Sequence, residues 1–300
     1  MSAEAGGATR RLVSGRAEGL AFLALTACGW GFNWPVAKFL LSELPPFSMR
    51  AGCGIAGVAF AFVLARLRRE RLWPRLGEWP LLTVFATLNF GAFSVLTTLS
   101  LVWLKASEAV IITYTLPIWA AILAWPMLGE RPGIAKLAAM AMGLGGIALL
   151  VGADQMQASW TTLPGVMCGF VASWLFALGT VIAKRRPLTL PPVAGVAWQA
   201  TLGAIPVGVL SLWEHPAWDR VTPLGWTAAA YVATIPMTIA YLSWFRALRL
   251  LPASTAATGV LLAPMVGVFA SAALLGDPLG PRQLFALAMT LTGVAVAARR

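Results

Sequence analysis

Charged residues and histidine are scarce in this sequence of 300 residues. Asp, Glu, Lys and Arg together make up 11% of the chain, and there is one histidine, His215. Soluble domains carry about 25% charged residues, so water is not the main solvent of this chain. Catalytic and metal sites need clusters of acids, histidines or nucleophiles. The sequence therefore predicts neither an enzyme nor a bound metal or other cofactor.

Cysteine is also rare, with Cys28, Cys53 and Cys168 as the three examples. All three lie inside apolar segments without the paired spacing of a zinc or redox site, so we interpret them as small buried residues. Basic residues precede an apolar run that reaches Cys28, as in a bacterial lipoprotein signal. That run continues to Leu41, which favours a first membrane span instead.

Apolar residues are abundant, at 59% of the chain with a mean hydropathy of +0.79. They fall into windows of about twenty residues, long enough for a helix to cross a bilayer. The sequence therefore predicts an all-α membrane protein with ten transmembrane helices. The predicted spans are residues 20–41, 47–65, 80–103, 107–127, 133–151, 162–183, 192–213, 224–247, 253–275 and 280–298.

The basic residues are distributed unevenly between alternate loops. Seventeen of the 22 Lys and Arg residues fall on one side, including both chain ends, while Lys105, Arg220 and Arg282 fall on the other. The positive-inside rule predicts cytoplasmic N and C termini in a multi-pass bacterial inner (plasma) membrane protein. The net charge of +11 is split into these short clusters and does not form one stripe, so we expect no nucleic-acid partner.

The two halves of the sequence resemble each other. Residues 106–149 align with 253–296 without a gap, matching Pro117 with Pro264 and Gly129 with Gly276. Pro45-Pro46 likewise matches Pro191-Pro192. We predict a cytoplasmic tail at 1–19 and two five-helix repeats at 20–151 and 162–298. An odd number of helices per repeat predicts opposite orientations, hence two inverted repeats around a central cavity, as in many secondary transporters. A duplication that only stabilises the fold is the alternative.

Three motifs carry a family resemblance: Trp30-Gly31-Phe32-Asn33, Pro45-Pro46 followed by Arg50, and Ala106-Ser107 through Pro117 to Gly129-Glu130. With ten spans and the repeat, they resemble the EamA-type drug/metabolite transporter superfamily, and within it the ten-helix bacterial exporters of amino acids and related metabolites. The resemblance covers residues 20–298. It implies a cavity lined by helices 1–4 and 6–9, alternating access, and a small-molecule substrate. The second half departs from the pattern, because Asp277 stands where Glu is usual and nothing matches Arg50.

Polar and aromatic side chains recur at helical spacing within the apolar spans. Trp30, Trp34 and Lys38 share one face of the first helix, and hydroxyl stripes run along helices 3 and 8. Such side chains could line a cavity, but they could also pack at interfaces or hydrogen-bond to their own helix. The predicted substrate-binding residues are Trp30, Asn33, Trp34, Lys38, Thr87, Asn89, Thr113, Tyr114, Trp174, Gln199, Tyr231, Thr234 and Tyr241.

Prolines and the few acids suggest how transport would proceed. Pro117 and Pro264 are predicted to be hinges, with a static bend as the alternative. The one acid associated with a span is Glu108, which we expect to form a surface ion pair with Lys105. We therefore predict transport without obligatory proton coupling by a monomer or weak homodimer in the lipid bilayer. A proton-coupled antiporter and a non-transporting scaffold or receptor remain as alternatives.

Overall fold

The computed structural model describes residues 2–129, 133–151, 159–251 and 262–297, and this part of the chain is helical without strands. The helices are α1 (Ser2–Leu40), α2 (Pro46–Leu67), α3 (Trp79–Phe85), α4 (Phe93–Trp103), α5 (Ala106–Thr113), α6 (Leu116–Leu128), α7 (Ile134–Val151), α8 (Ser159–Arg185), α9 (Pro192–Ser211), α10 (Pro223–Thr234), α11 (Ala240–Leu250), α12 (Leu262–Leu275) and α13 (Pro281–Ala297). Two π-helical segments join neighbouring helices, Ala86–Ala92 between α3 and α4 and Ile235–Ile239 between α10 and α11.

Six helical segments are long and apolar enough to cross a membrane. They are Gly15–Leu40, Pro46–Leu67, Leu76–Trp103, Ala106–Leu128, Trp160–Arg185 and Pro192–Ser211. Large apolar side chains are exposed on them, for example Ile55 at 68% and Ile205 at 58%. Exposed apolar surface of this kind suits a lipid environment, because hydrocarbon does not penalise it. The remaining helices coincide with the other predicted spans, except that residues 253–261 of one span lie outside the described residues.

The first helix is longer than predicted. Helical backbone extends from Ser2 to Leu40, whereas the predicted span begins at residue 20. This N-terminal stretch contains several glycines, which weaken a helix, but it has no proline to end a helix that the apolar part has already nucleated. Hydropathy marks where a helix enters the bilayer and does not mark where the helix begins.

The helices of the two halves pair in a symmetric pattern. α1 packs against α11 and α12 of the second half, and α8 packs against α4 and α6 of the first. α2 pairs with α9, and α7 pairs with α13. Exchange of the two halves leaves this set of pairs unchanged, as two-fold symmetry between two repeats requires. Gly146 permits the close α7–α13 contact, since a Cβ there would lie 2.8 Å from the Ala286 carbonyl oxygen.

Glycines at matching positions end matching helices. Gly129 follows α6 and Gly276 follows α12, with φ of 74° and 70° respectively. Each donates its N–H to a carbonyl four residues earlier, Trp125 and Ala272, at 3.0 and 3.1 Å. This left-handed conformation is strained for residues that carry a Cβ. The glycine match in the sequence alignment therefore reflects one helix-ending geometry used twice.

Acidic side chains in the loops cap helices of the opposite half. Glu70 accepts hydrogen bonds from the Val193 and Ala194 N–H groups at the start of α9, at 3.1 and 2.9 Å. Glu214 accepts from the N–H groups of Phe47 and Ser48 at the start of α2, at 3.1 and 2.6 Å. The first N–H groups of a helix have no partner within it, and the helix dipole favours a negative charge there. The two carboxylates therefore tie the halves together in the same way.

Other acids make similar ties. Asp277 accepts from the Ser107 N–H at 3.0 Å and from its hydroxyl at 2.8 Å, at the start of α5. Glu43 accepts hydrogen bonds from the Thr222 N–H at 3.1 Å and from the Thr222 hydroxyl at 2.7 Å, just before α10. Asp277, which stood out in the sequence as a departure from the family pattern, thus retains the ability to cap a helix.

Candidate functional site

A cavity of about 160 Å³ lies between the two halves. α1, α2, the first π segment and α4 supply one side of its wall, and α8, α10, the second π segment and α11 supply the other. Its lining residues are Trp30, Asn33, Trp34, Arg50, Asn89, Phe90, Phe93, Ser94, Thr97, Leu101, Phe176, Val232, Pro236, Met237 and Tyr241. The wall is therefore mainly aromatic and aliphatic, with a few amide, hydroxyl and guanidinium groups.

The aromatic side chains of α1 contact the second half and α5. The Trp30 indole N–H donates to the Pro236 carbonyl oxygen at 3.0 Å, and its ring lies 5.2 Å from Tyr241 in an edge-to-face arrangement. Trp34 is 6% exposed, and its ring centroid is 6.5 Å from that of Tyr114. Burial and ring contacts hold both indoles in place, so they form a preorganised wall.

The two π segments present residues to this cavity. Asn89 and Phe90 belong to the first, and Pro236 and Met237 to the second. The segments end at Ala92 and Ile239, which correspond when the gap-free alignment that matches Pro117 with Pro264 is extended towards the N-terminus. A π turn inserts an extra residue into a helix and rotates the side chains that follow, and such turns are frequent at functional sites. Sequence periodicity of 3.6 residues cannot reveal this rotation.

Two cavity amides have an oxygen for which the described residues provide no hydrogen-bond partner. These are Asn33 Oδ1 and Asn89 Oδ1, both buried. Gly179 on α8 makes room for Asn89, because a Cβ there would lie 1.8 Å from Asn89 Oδ1. Buried polar atoms normally find partners, and a polar ligand is one way to supply them.

Arg50 brings a positive charge to the cavity. Its Nε donates to Thr98 Oγ1 on α4, and that hydroxyl in turn donates to the Ser94 carbonyl oxygen at 2.8 Å. Of the described residues that line the cavity, none is Asp or Glu. The polar part of the wall therefore carries a net positive charge.

Two further pockets adjoin this cavity. One of about 40 Å³ shares Arg50, Phe90 and Ser94 with it and extends between α2 and α9. Another of about 300 Å³ shares Asn89, Phe90, Phe176 and Tyr241 with the cavity, and reaches Pro191 and Pro192 at the start of α9. Gln199 lines this second pocket. The 300 Å³ space extends from the cavity towards the turn between α8 and α9, whereas the 40 Å³ space extends along α9 away from that turn, as far as Val207.

The structure brings part of the predicted site together. Trp30, Asn33, Trp34, Asn89 and Tyr241 line the cavity, and Gln199 lines the adjoining pocket. The residues that line neither are Lys38, Thr87, Thr113, Tyr114, Trp174, Tyr231 and Thr234.

Several of these outlying residues have other contacts. The Lys38 ammonium donates to the carbonyl oxygens of Leu101 and Leu104, so it caps the end of α4. Tyr231 donates its hydroxyl to the Gly29 carbonyl oxygen at 2.9 Å. Thr234 hydrogen-bonds to its own helix at the Ala230 carbonyl oxygen, at 2.7 Å. These contacts join helices or stay within one.

Thr87, Thr113, Tyr114 and Trp174 also lie away from the cavity wall. Thr87 is exposed, and Trp174 is 40% exposed on α8. Thr113 is buried at the end of α5, and Tyr114 packs behind Trp34. Spacing along a helix alone did not fix which neighbour these side chains face.

The predicted hinges differ from each other in structure. α5 ends at Thr113 and α6 begins at Leu116, so the helix is interrupted just before Pro117. A new helix starts there with proline in its first turn, where its missing N–H costs no helical hydrogen bond. Pro264 is buried in α12, two residues after the start of its described part. Hinge motion at either position stays a prediction.

Sequence reasoning missed most of the cavity wall. The omitted residues are Arg50, Phe90, Phe93, Ser94, Thr97, Leu101, Phe176, Val232, Pro236 and Met237. Apolar residues in apolar spans give no signal that separates cavity from lipid. Arg50 did give a signal, since a charged residue inside a span is costly and usually functional.

The sequence profile of the EamA-like transporter family matches residues 17–152 and again residues 163–299. The transporter YvbV of Bacillus subtilis is 27% identical over 92% of this chain and 88% of its own length. The probable amino-acid metabolite efflux pump of Escherichia coli is 27% identical over 88% of this chain and 89% of that protein. The probable terminal-alkyne amino-acid exporter of Streptantibioticus cattleyicolor is 24% identical over 93% and 92%. One solved crystal structure shares the fold with a TM-score of 0.63 and 19% identity, over 95% of this chain and 96% of that one.

Proposed function

The chain belongs to the EamA-like transporter family and is a multi-pass membrane transporter, and we propose that it exports amino acids with apolar or aromatic side chains and related amphipathic metabolites. The cavity between the halves is the observation that carries this proposal. Its aromatic wall suits an apolar side chain, and its amides and guanidinium suit a polar head. The cavity of about 160 Å³ and the adjoining space of about 300 Å³ together offer room for a small solute.

The names of two relatives agree with this substrate class. The Escherichia coli protein is named a probable amino-acid metabolite efflux pump, and the Streptantibioticus cattleyicolor protein is named a probable terminal-alkyne amino-acid exporter. Identities of 27% and 24% support a shared general activity, whereas the individual substrate depends on the cavity residues of each chain.

We extend the proposal to ten spans in two inverted repeats, with both termini in the cytoplasm. The symmetric helix pairs, the corresponding π segments and the two glycine helix ends support the repeat. The basic loops support the orientation. In this arrangement α8 and α9 meet on the cytoplasmic side, so the pocket at Pro191 and Pro192 forms the entry route from the cytoplasm.

Transport would then proceed by alternating access. The cavity contacts helices of both halves, so a rocking motion of one half against the other would close the cytoplasmic route and open the opposite end. Regular α-helical hydrogen bonding is already interrupted near Pro117 and in the two π segments. A helix can therefore bend at these positions with little further loss of hydrogen bonds.

We propose that this cycle does not require a proton. Glu108 accepts a hydrogen bond from the Lys105 backbone N–H at 3.1 Å and so caps the start of α5. The sequence suggested an ion pair with the Lys105 side chain, but the contact is to its backbone. A carboxylate in this capping position contributes to the stability of the helix, which supports a structural role for Glu108.

Counterflow in proteoliposomes tests the proposed function. Vesicles with purified protein are loaded with one unlabelled amino acid, diluted, and offered the labelled form. We expect saturable accumulation of labelled leucine, phenylalanine or tryptophan that exceeds accumulation in protein-free vesicles. Folded protein that moves no amino acid or amphipathic metabolite in a broad panel would contradict the proposal.

A further inference from the structure

Arg50 is a cation in the cavity wall with one described protein partner. The guanidinium carries five N–H donors in a planar fork, and its Nε donates to Thr98 Oγ1. The hydrogen bonds and ion pairs of the described residues engage neither of its terminal nitrogens. The Thr98 hydroxyl is itself anchored to the Ser94 carbonyl oxygen at 2.8 Å, which fixes the orientation of the fork.

The surroundings of Arg50 do not neutralise its charge. Arg50 lines the main cavity and the pocket between α2 and α9, and among the described residues that line the two spaces there is no Asp or Glu. A charge within a membrane protein is costly and is usually paired or kept for function. An anionic ligand would both pair the charge and occupy the free donors, because the fork matches a carboxylate.

The positive charge belongs to one half of the molecule. The match between Pro45-Pro46 and Pro191-Pro192 places Val196 at the position equivalent to Arg50. Val196 lines the pocket that leads to Pro191, where it offers no charge. The cavity is therefore equipped for one anionic group and not for two related by symmetry.

We propose that Arg50 binds the carboxylate of the transported solute. That the solute is transported rests on the proposed function, whereas its binding to Arg50 is a separate claim. The substrate class is a small zwitterion with one carboxylate. Asn33 and Asn89 line the same cavity and supply amide groups beside its ammonium, and Phe93, Phe176 and neighbouring rings contact its apolar side chain. Amines without a carboxylate bind more weakly.

Binding measurements with four related compounds test the claim. Purified protein in detergent is titrated by calorimetry with phenylalanine, 3-phenylpropionate, phenylalanine amide and phenethylamine. The first two carry the carboxylate, and the last two lack it. Hydrogen bonds to charged groups contribute enough to change affinity by about 10- to 100-fold. We expect the wild type to bind phenylalanine at least about tenfold more tightly than phenylalanine amide.

Arg50→Gln should abolish that difference. Its affinity for phenylalanine and 3-phenylpropionate should fall by about 10- to 100-fold, while its affinity for phenethylamine should change little. Arg50→Lys keeps the charge without the planar fork and should lose less. Thr98→Val removes the partner of Nε and leaves the charge, so it separates positioning from charge.

The outcomes decide between distinct readings. Equal affinity of the wild type for phenylalanine and its amide, or no binding of any carboxylate, would overturn the proposal without need of a variant. So would an Arg50→Gln protein that binds phenylalanine like the wild type, or one that is folded and weakened equally for all four compounds. Binding of carboxylates that depends on Arg50 in a protein that shows no counterflow would uphold this inference and refute the transport proposal. Unchanged counterflow in Arg50→Gln would uphold the transport proposal and refute this inference.

Discussion

The contact between Gly179 and Asn89 gives the most specific prediction about the cavity. A Cβ on residue 179 would lie 1.8 Å from Asn89 Oδ1 and 2.8 Å from its Cγ. Both distances are far below van der Waals contact, so Gly179→Ala must push the Asn89 side chain away from its present position in the wall. Asn89 Oδ1 has no hydrogen-bond partner to lose among the described residues. The change should therefore disturb the cavity more than the fold.

The expected magnitudes follow from packing and hydrogen bonding. Overpacking costs about 1–3 kcal/mol, and loss of one hydrogen bond to the substrate weakens affinity by roughly tenfold. Replacement of glycine by alanine within a helix also adds up to about 1 kcal/mol of helix propensity. Gly208→Ala in α9 is the matched control, because its Cβ would have open space and it gains the same propensity. The difference between the two variants isolates the clash.

A double-mutant cycle completes this test. Asn89→Ala removes the group that Gly179→Ala strikes, so the double variant should regain the melting temperature lost by Gly179→Ala. Its counterflow should stay low, because Asn89 is still missing from the cavity. Thermal melting in detergent and counterflow in vesicles supply the two readouts. Gly179→Ala that behaves like Gly208→Ala in both would refute the reasoning.

The remaining predictions concern stability, topology and coupling. Glu214→Gln and Glu70→Gln should each destabilise the protein by about 1–2 kcal/mol through loss of a charged helix cap. Asp219 is exposed, so Asp219→Asn should leave the melting temperature unchanged. Equal melting temperatures of all three variants would contradict the capping role. Trp34→Ala should reduce the yield of folded protein, since this side chain is 6% exposed and its truncation costs about 3–5 kcal/mol, and normal yield would show that it does not pack in the core. Reporter fusions at the C terminus should report the cytoplasm, and a periplasmic signal would refute the ten-span topology. A pH gradient should not drive accumulation and Glu108→Gln should retain most transport; concentrative uptake that a protonophore abolishes and that Glu108→Gln lacks would make Glu108 the proton site.

The sequence predicted the helices well because their determinants are local. Hydropathy located the span from Pro46 to Leu67 within two residues at each end. The matched Gly129 and Gly276 reported a backbone conformation that few other residues adopt. These signals depend on the residue and its immediate neighbours, so one sequence suffices to read them.

The cavity was harder to predict because it depends on how helices face one another. Asn89 was found as an amide within an apolar span, yet Phe93 and Phe176 look like any lipid-facing aromatic residue. The π segment at Ala86–Ala92 rotates the side chains that follow, which a regular helical period does not anticipate. Lys38 looked like a ligand but caps α4, because the end of that helix lies beside it only in three dimensions.

Protection of an introduced cysteine by substrate tests the central claim most directly. Cys28, Cys53 and Cys168 are first replaced by alanine, and Ser94→Cys is then introduced in the cavity wall, with Thr234→Cys outside the cavity as the control. A transported amino acid should slow maleimide labelling at position 94 in a saturable way, with half-protection near the concentration that half-saturates counterflow, and should leave position 234 unaffected. Active transport with labelling at position 94 unchanged by saturating substrate would contradict the claim that solute passes through this cavity.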